Sequence, residues 1–337
     1  MEKIQIASSP HLSRPNTSTR LMMLDVILAL IPALAVGIWI FGWFAVKQVS
    51  LCILVCMLSE WFFNLLRGDK RASLDDLSAI VTGMILGLSL PWSAPWQVPV
   101  FASIIAVGLG KAAFGGLGFN IFNPAMVGRA FVMLSFATVM GSNAYEFPKE
   151  QITHEHETQV TVITQATPLK QIKEVMKSGA QIESQMTSDS LLIALTGQRN
   201  GSLGEVSVLA ILLGGFYLLF RRTISWRIPL GMCFAVFLIG ALVSPSTPFV
   251  YGSAYLLNGA VLFGAFFIAT DPVTSPVTPR GHWIFGIGVG VLTMIIRLFS
   301  GYPEGVMFAV LMMNAVVPLI NAWTIPQPFG GLPKTHS

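Results

Sequence analysis

Ten apolar runs, separated by short polar breaks, limit what this chain can fold into more than any other feature. They cover residues 21–44, 49–66, 77–90, 98–114, 125–140, 206–220, 228–243, 254–269, 283–299 and 306–323. A helix that crosses a bilayer needs about 20 largely apolar residues. Only 11% of the 337 residues are charged, against about 25% in an ordinary soluble protein. In lipid every backbone N–H and C=O must be satisfied within the chain, which leaves helices as the natural reading of such runs. The sequence therefore predicts an all-α polytopic membrane protein of about ten transmembrane helices, with the lipid bilayer as its solvent. The third, fourth and eighth runs are short or interrupted by glycine, the pattern of broken helices whose free backbone ends face a cavity.

Charge sets the expected orientation. Residues 1–20 are polar, carry Lys3, Arg14 and Arg20, and show no cleavable signal, so the first run reads as a retained span. Arg67, Lys70 and Arg71 follow the second run, Arg221, Arg222 and Arg227 the sixth, and Arg280 the eighth. If every run crosses once, all of these share the side of the N-terminus, which puts both termini in the cytoplasm. The pI near 9.1 is then a topology signal, and nucleic acid is not expected as a partner. The expected divisions are a cytoplasmic segment 1–20, a first five-helix unit 21–140, an extracytoplasmic segment 141–205, a second five-helix unit 206–323 and a cytoplasmic tail 324–337. The segment 141–205 holds eight of the sixteen acidic residues, as a solvated region would.

A weak internal repeat accompanies this layout. Gly83, Pro91 and Pro95 recur as Gly264, Pro272 and Pro276 at a shift of 264 − 83 = 181. Five spans in each half force the halves into opposite orientations, the inverted-repeat plan of many transporters and channels.

Two loops carry the polar residues that matter most. In Gly118-Phe119-Asn120-Ile121-Phe122-Asn123-Pro124-Ala125, Asn123 either caps a helix or starts one whose positive end faces an anion or a flavin ring. Arg129, one turn further on, is costly in a membrane unless paired, so it is a functional candidate. In the counterpart Ala269-Thr270-Asp271-Pro272, Asp271 binds a cation, caps the following turn or pairs with Arg280. Asp25 and Glu60 also stand in apolar runs, and acids there are frequent parts of ion paths. Arg297, near the end of the ninth run, is expected to snorkel to the interface.

The remaining motifs have plainer readings. Ser202 to Glu205 has the form of a capping box, with Arg199 and Asn200 in a loop that would suit a flavin. Gly286, Gly288 and Gly290 lack the strand and downstream acid of a dinucleotide site and predict close helix packing. His154-Glu155-His156-Glu157 has no third ligand in view, so no metal site is expected. Three cysteines inside apolar runs are too few for an iron–sulfur cluster. Thr164-Gln165-Ala166-Thr167-Pro168-Leu169 reads as a helix start, Thr167 capping and Pro168 at the first helical position.

Taken together, Ser9-Pro10-His11, Ala29-Leu30-Ile31-Pro32-Ala33, the Asn123-Pro124-Ala125 and Thr270-Asp271-Pro272 loops and Ala166-Thr167-Pro168-Leu169 give a resemblance that extends from about residue 8 to 328. The chain resembles the family of membrane subunits that includes the D subunits of Rnf electron-transport complexes and the B subunits of sodium-pumping NADH:quinone oxidoreductases. The resemblance implies that a flavin transferase attaches FMN through its phosphate to Thr167, with Thr164 and Ala166 completing the motif. Gln165 stands where glycine is common and Thr161 where Asp is frequent. It further implies two inverted five-helix repeats similar to urea and ammonium transporters, in a bacterial or archaeal cytoplasmic membrane. A role follows in passing electrons between ferredoxin and NAD while Na+ or H+ crosses, with Asp25, Glu60 and Asp271 on the ion path. Arg129, Asn123 and Arg199 are the further candidates to face flavin, and a second, non-covalent flavin is accommodated by this scheme. Partners would be the other Rnf subunits, above all the other flavin-carrying subunit and the membrane subunits. The alternative is a stand-alone channel or transporter for a small polar solute, which the repeat alone supports equally.

Overall fold

The computed structural model describes residues 18–68, 74–137, 139–140, 201–243, 248–300 and 305–326. Helices α1 (Thr19–Phe41), α2 (Trp43–Leu66), α3 (Ser78–Ser89), α4 (Gln97–Gly108) and α5 (Pro124–Ser135) make up the first half. The second comprises α6 (Val208–Phe220), α7 (Arg227–Val243), α8 (Pro248–Leu257), α9 (Val261–Phe263, continued by a π-helical turn Gly264–Ile268), α10 (Pro279–Phe299) and α11 (Val306–Thr324). No strand occurs among the described residues.

Side-chain caps start several of these helices. Ser18 accepts from Leu21 N, Asn123 from Met126 N, Ser207 from Ala210 N and Thr278 from Gly281 N. Asn123 and Thr278 are each followed by proline, whose missing N–H costs nothing at a first helical position. The helix after residue 205 therefore begins on Ser207, and the expected capping box of Ser202 and Glu205 is corrected: both are fully buried and lie before the cap.

Among the described residues five helices are long and apolar enough to cross a membrane, six if α8 and α9, bent by 63°, count as one span. Four shorter helices, α3, α5, α6 and α7, have 12, 12, 13 and 17 residues. At 1.5 Å per residue a 12-residue helix reaches about 18 Å, short of the roughly 30 Å hydrocarbon core. Helix α3 is buried at every position except Ile80, so it is an inner half-helix with no lipid face.

The packing order of the two halves runs in parallel. The first helices pack on each other (α1 with α6), as do the last (α5 with α11). With the bent pair α8 and α9 counted as one, the second helix of each half packs on the third and fourth, and the fourth on the fifth. Small residues make the approaches possible: a Cβ on Gly214 would lie 2.0 Å from Ala29 O, one on Gly286 2.6 Å from Ile228 O, and one on Gly290 2.7 Å from Met232 O. The expected close packing at Gly286 and Gly290 is thus the α7–α10 contact.

At the bend between α8 and α9, carbonyls leave the helical ladder. Arg297 donates to Tyr255 O at 2.7 Å and to Asn258 O at 3.1 Å. It is 3% exposed, so the expectation of snorkelling is overturned: the guanidinium is turned inward because broken helix ends in lipid need a donor.

Candidate functional site

The short helices converge on a cavity. Its walls come from the starts of α1, α3 and α5, the end of α6, the loop before α5 and the turn after α9, and it is partly open to the surface. Ligand sites commonly combine an apolar lining with a few convergent polar groups. Here the lining is mainly Met, Val, Ile, Leu and Phe, and the polar groups include Lys111, Asn120, Asn123, Thr270 and Asp271.

Asn123 and Asp271, read from the sequence as counterparts, line this same cavity. Asn123 Oδ1 caps α5, and its Nδ2 donates to Ile268 O at 3.4 Å. Asn314 completes the join: with its amide oriented to donate to Thr274 O, its oxygen accepts from Asn123 N at 3.0 Å. Asp271 takes the second of its three expected roles. Its carboxylate accepts from Val273 N at 3.2 Å and from Thr274 Oγ1 at 3.0 Å, fixing the turn. Arg280 is exposed, and among the described residues the two form no ion pair. The Asp271 carboxylate remains on the cavity wall, beside Thr270 and Pro272.

The two other acids of the expected ion path stand behind the wall. Glu60 Oε1 accepts from Lys111 Nζ at 2.5 Å, and the same ammonium donates to Ser78 Oγ. Ser78 in turn donates to Asp76 Oδ1 through both its N–H and its hydroxyl. Asp25 accepts from Tyr217 OH at 3.1 Å, Arg221 Nε at 3.2 Å and Thr223 Oγ1 at 3.0 Å. Thr223 and Ser78 line the cavity, so each acid is one residue removed from it. Asp25, near the start of α1, is buried rather than open to water, held by the end of α6.

Arg129 does not line the cavity. It is buried and forms an ion pair with Glu205 at 3.9 Å. Glu205 is brought there by a segment whose Leu203 N donates to Leu90 O and whose Gly204 N donates to Leu88 O, at the end of α3. Thr164, Ala166, Thr167 and Arg199 lie outside the described residues.

Two residues of the site, Lys111 and Asn314, are not among those that the sequence singles out. For Lys111 a signal exists: a cation inside the run 98–114 calls for a partner and a reason, as any intramembrane charge does. Asn314 lies in the run 306–323 without any neighbouring motif, and nothing local marks it out.

Comparison with known proteins gives the family. The model of the NQR2, RnfD, RnfE family matches residues 5–330. The D subunit of the Na(+)-translocating ferredoxin:NAD(+) oxidoreductase complex of Acetobacterium woodii is 39% identical over 327 residues, covering 97% of this chain and 95% of that one. Its counterpart in the proton-translocating ferredoxin:NAD(+) oxidoreductase complex of Clostridium ljungdahlii is 38% identical, covering 96% of each. The D subunit of an ion-translocating oxidoreductase complex of Stutzerimonas stutzeri is 39% identical over 94% of this chain and 93% of its own. With a match over nearly its whole length, the chain belongs to the NQR2, RnfD, RnfE family.

Proposed function

We propose that this chain is the flavin-carrying membrane subunit of an ion-translocating ferredoxin:NAD+ oxidoreductase complex. The observation that carries the reading is end-to-end similarity, over 97% and 96% of this chain, to relatives whose names state that activity. With three cysteines, all in apolar runs, the chain takes part through flavin, and the ferredoxin and NAD sites fall to partner subunits. FMN is joined through its phosphate to Thr167 by a flavin transferase, on the extracytoplasmic side, with both termini cytoplasmic. The pairing of helices α1 to α5 with α6 to α11 supports two inverted repeats of five spans each, the third span of each repeat being short or bent.

The cavity suits a second, non-covalent flavin. Asn120 Oδ1 is buried without a hydrogen-bond partner, and Asn123 and Thr270 stand on the same cavity wall. A buried polar atom without a partner costs about 1–3 kcal/mol, which a ring N–H of the ligand would offset. When bound, a flavin supplies one-electron transfer between donors and acceptors on either side. Asp271 on the wall, with Glu60 and Asp25 behind it, makes the cavity the natural place for cation movement to meet electron movement. Sodium and protons are named for relatives of nearly equal similarity, so the proposal concerns a monovalent cation.

The test is direct. The chain is co-expressed with a flavin transferase, run on a denaturing gel and viewed under ultraviolet light. A fluorescent band that Thr167→Val abolishes is expected; a dark wild-type band, or a bright variant, overturns the covalent-flavin reading.

A further inference from the structure

The wall of the cavity contains a cation that neither the covalent flavin nor the acids of the ion path account for. Lys111 stands just beyond the end of α4, is 3% exposed and lines the cavity, whereas Glu60, its partner, does not. An ammonium has three N–H donors. Glu60 Oε1 and Ser78 Oγ take two of them, each at 2.5 Å. Glu60 Oε2 is buried with no partner. A buried pair that leaves a donor and an acceptor unused is expensive to keep if its only task is stability, since an apolar pair of similar volume is often as good or better.

We propose that Lys111 is a flavin-binding residue of the cavity: its third N–H donates to an acceptor on the ring of the non-covalent flavin, and its charge favours the electron-rich form of that ring. This rests on the reading of the cavity as a flavin site. Glu60 and Ser78 are the positioning residues, holding the ammonium at the wall and balancing its charge when the cavity ligand is neutral. Charge placed beside a flavin ring is one of the few means by which a protein tunes its electronics. Lys111 is almost fully buried, so its charge acts with less attenuation than one at a surface. Asp271 is the acidic group on the same cavity wall, and it is committed to Val273 N and Thr274 Oγ1. The cavity therefore presents one cation with a spare donor and one anion held by a turn.

The experiment uses the assembled complex purified with its partner subunits. Non-covalent flavin is counted by acid extraction, its affinity is measured by rebinding of riboflavin and, in a separate arm, FMN, and its midpoint potential is read by spectroelectrochemical titration. Lys111→Gln alone leaves Glu60 buried and unpaired, so the decisive variant is the neutral double substitution Lys111→Gln with Glu60→Gln. That variant is expected to keep the flavin at Thr167, to bind riboflavin about tenfold more weakly and to have a lower midpoint potential. Lys111→Arg is expected to restore both. If the double variant matches wild type in affinity and potential, the proposal is overturned while the cavity remains a flavin site. If wild-type complex releases no flavin on acid extraction, both readings fall together. If neither Lys111→Gln nor the double variant assembles, Lys111→Arg is read instead: affinity and potential near wild type are the expected result, and an assembled Lys111→Arg complex that has lost the non-covalent flavin overturns the proposal.

Discussion

Asn123 of the first half donates its side-chain amide to the main-chain oxygen of Ile268 in the second half, 3.4 Å away. This contact joins the start of α5 to the end of the π-helical turn of α9, two helix ends that stop inside the protein. Helix ends leave backbone groups unsatisfied, and in a membrane water does not repair them. Each broken helix here has been given a side chain for the purpose: Gln48 for the carbonyls of Gly87 and Leu90, Arg297 for those of Tyr255 and Asn258, and Asn123 for Ile268.

Replacing Asn123 separates its two tasks. Asn123→Ala removes both the α5 cap and the bond to Ile268, and we expect a loss of about 1–2 kcal/mol in stability. Asn123→Asp keeps the cap and loses the donor, so about half of that loss should return. Thermal unfolding of the detergent-solubilised complex measures this; equal destabilisation by both variants would count against the division.

The buried pair of Arg129 and Glu205 should behave as a unit. Either Arg129→Ala or Glu205→Ala breaks the buried ion pair and is expected to cost about 3–5 kcal/mol, enough to lower the amount of assembled complex. The double change Arg129→Met with Glu205→Leu should recover most of the loss. A double-mutant cycle on unfolding temperature gives the coupling, and additive losses would show that the two side chains act separately.

Close contact between α1 and α6 depends on Gly214. A methyl group there would sit 2.0 Å from Ala29 O and 2.9 Å from the Phe267 ring, so Gly214→Ala must push α1 and α6 apart. Overpacking of this kind costs about 1–3 kcal/mol. Leu213, its exposed neighbour, is the control: Leu213→Ala should leave the unfolding temperature within about 1 °C of wild type.

Asp271→Asn is expected to keep the turn and lose the charge. Its oxygen still accepts from Val273 N, and the Thr274 hydroxyl can rotate to accept from the new amide. Cation transport coupled to ferredoxin oxidation in proteoliposomes should fall severalfold, with the flavin at Thr167 unchanged on a denaturing gel. Unchanged coupling removes Asp271 from the ion path.

Several of these relationships are open to sequence reading because they are local. Glycines mark the run 254–269 as broken, and it bends by 63°. Asn123 reads as a helix cap from its own sequence, with Pro124 behind it, and it caps α5. The acids Asp25, Glu60 and Asp271 stand out against apolar surroundings, and all three lie at or just behind one cavity. Arg297 goes the other way: its position near a helix end suggests an exposed side chain, and only the neighbouring break between α8 and α9 gives it a buried task.

By itself the sequence determined that the chain is helical and membrane-embedded, that the third run is short and the eighth broken, and which residues are too polar to be there without a reason. Those properties follow from composition and short spacing, because lipid penalises every unsatisfied backbone group wherever it occurs. The fourth run, also expected to be short or broken, is long enough to cross, and the fifth and sixth are shorter than the sequence suggested. Tertiary structure alone decided the partners. Lys111 meets Glu60 across 51 positions of chain, Asn123 meets Ile268 across 145 and Asp25 meets Tyr217 across 192. Such pairings depend on how helices stack, at glycines such as Gly214 and Gly286 where backbones nearly touch, and no local pattern encodes which distant side chain that stacking brings opposite.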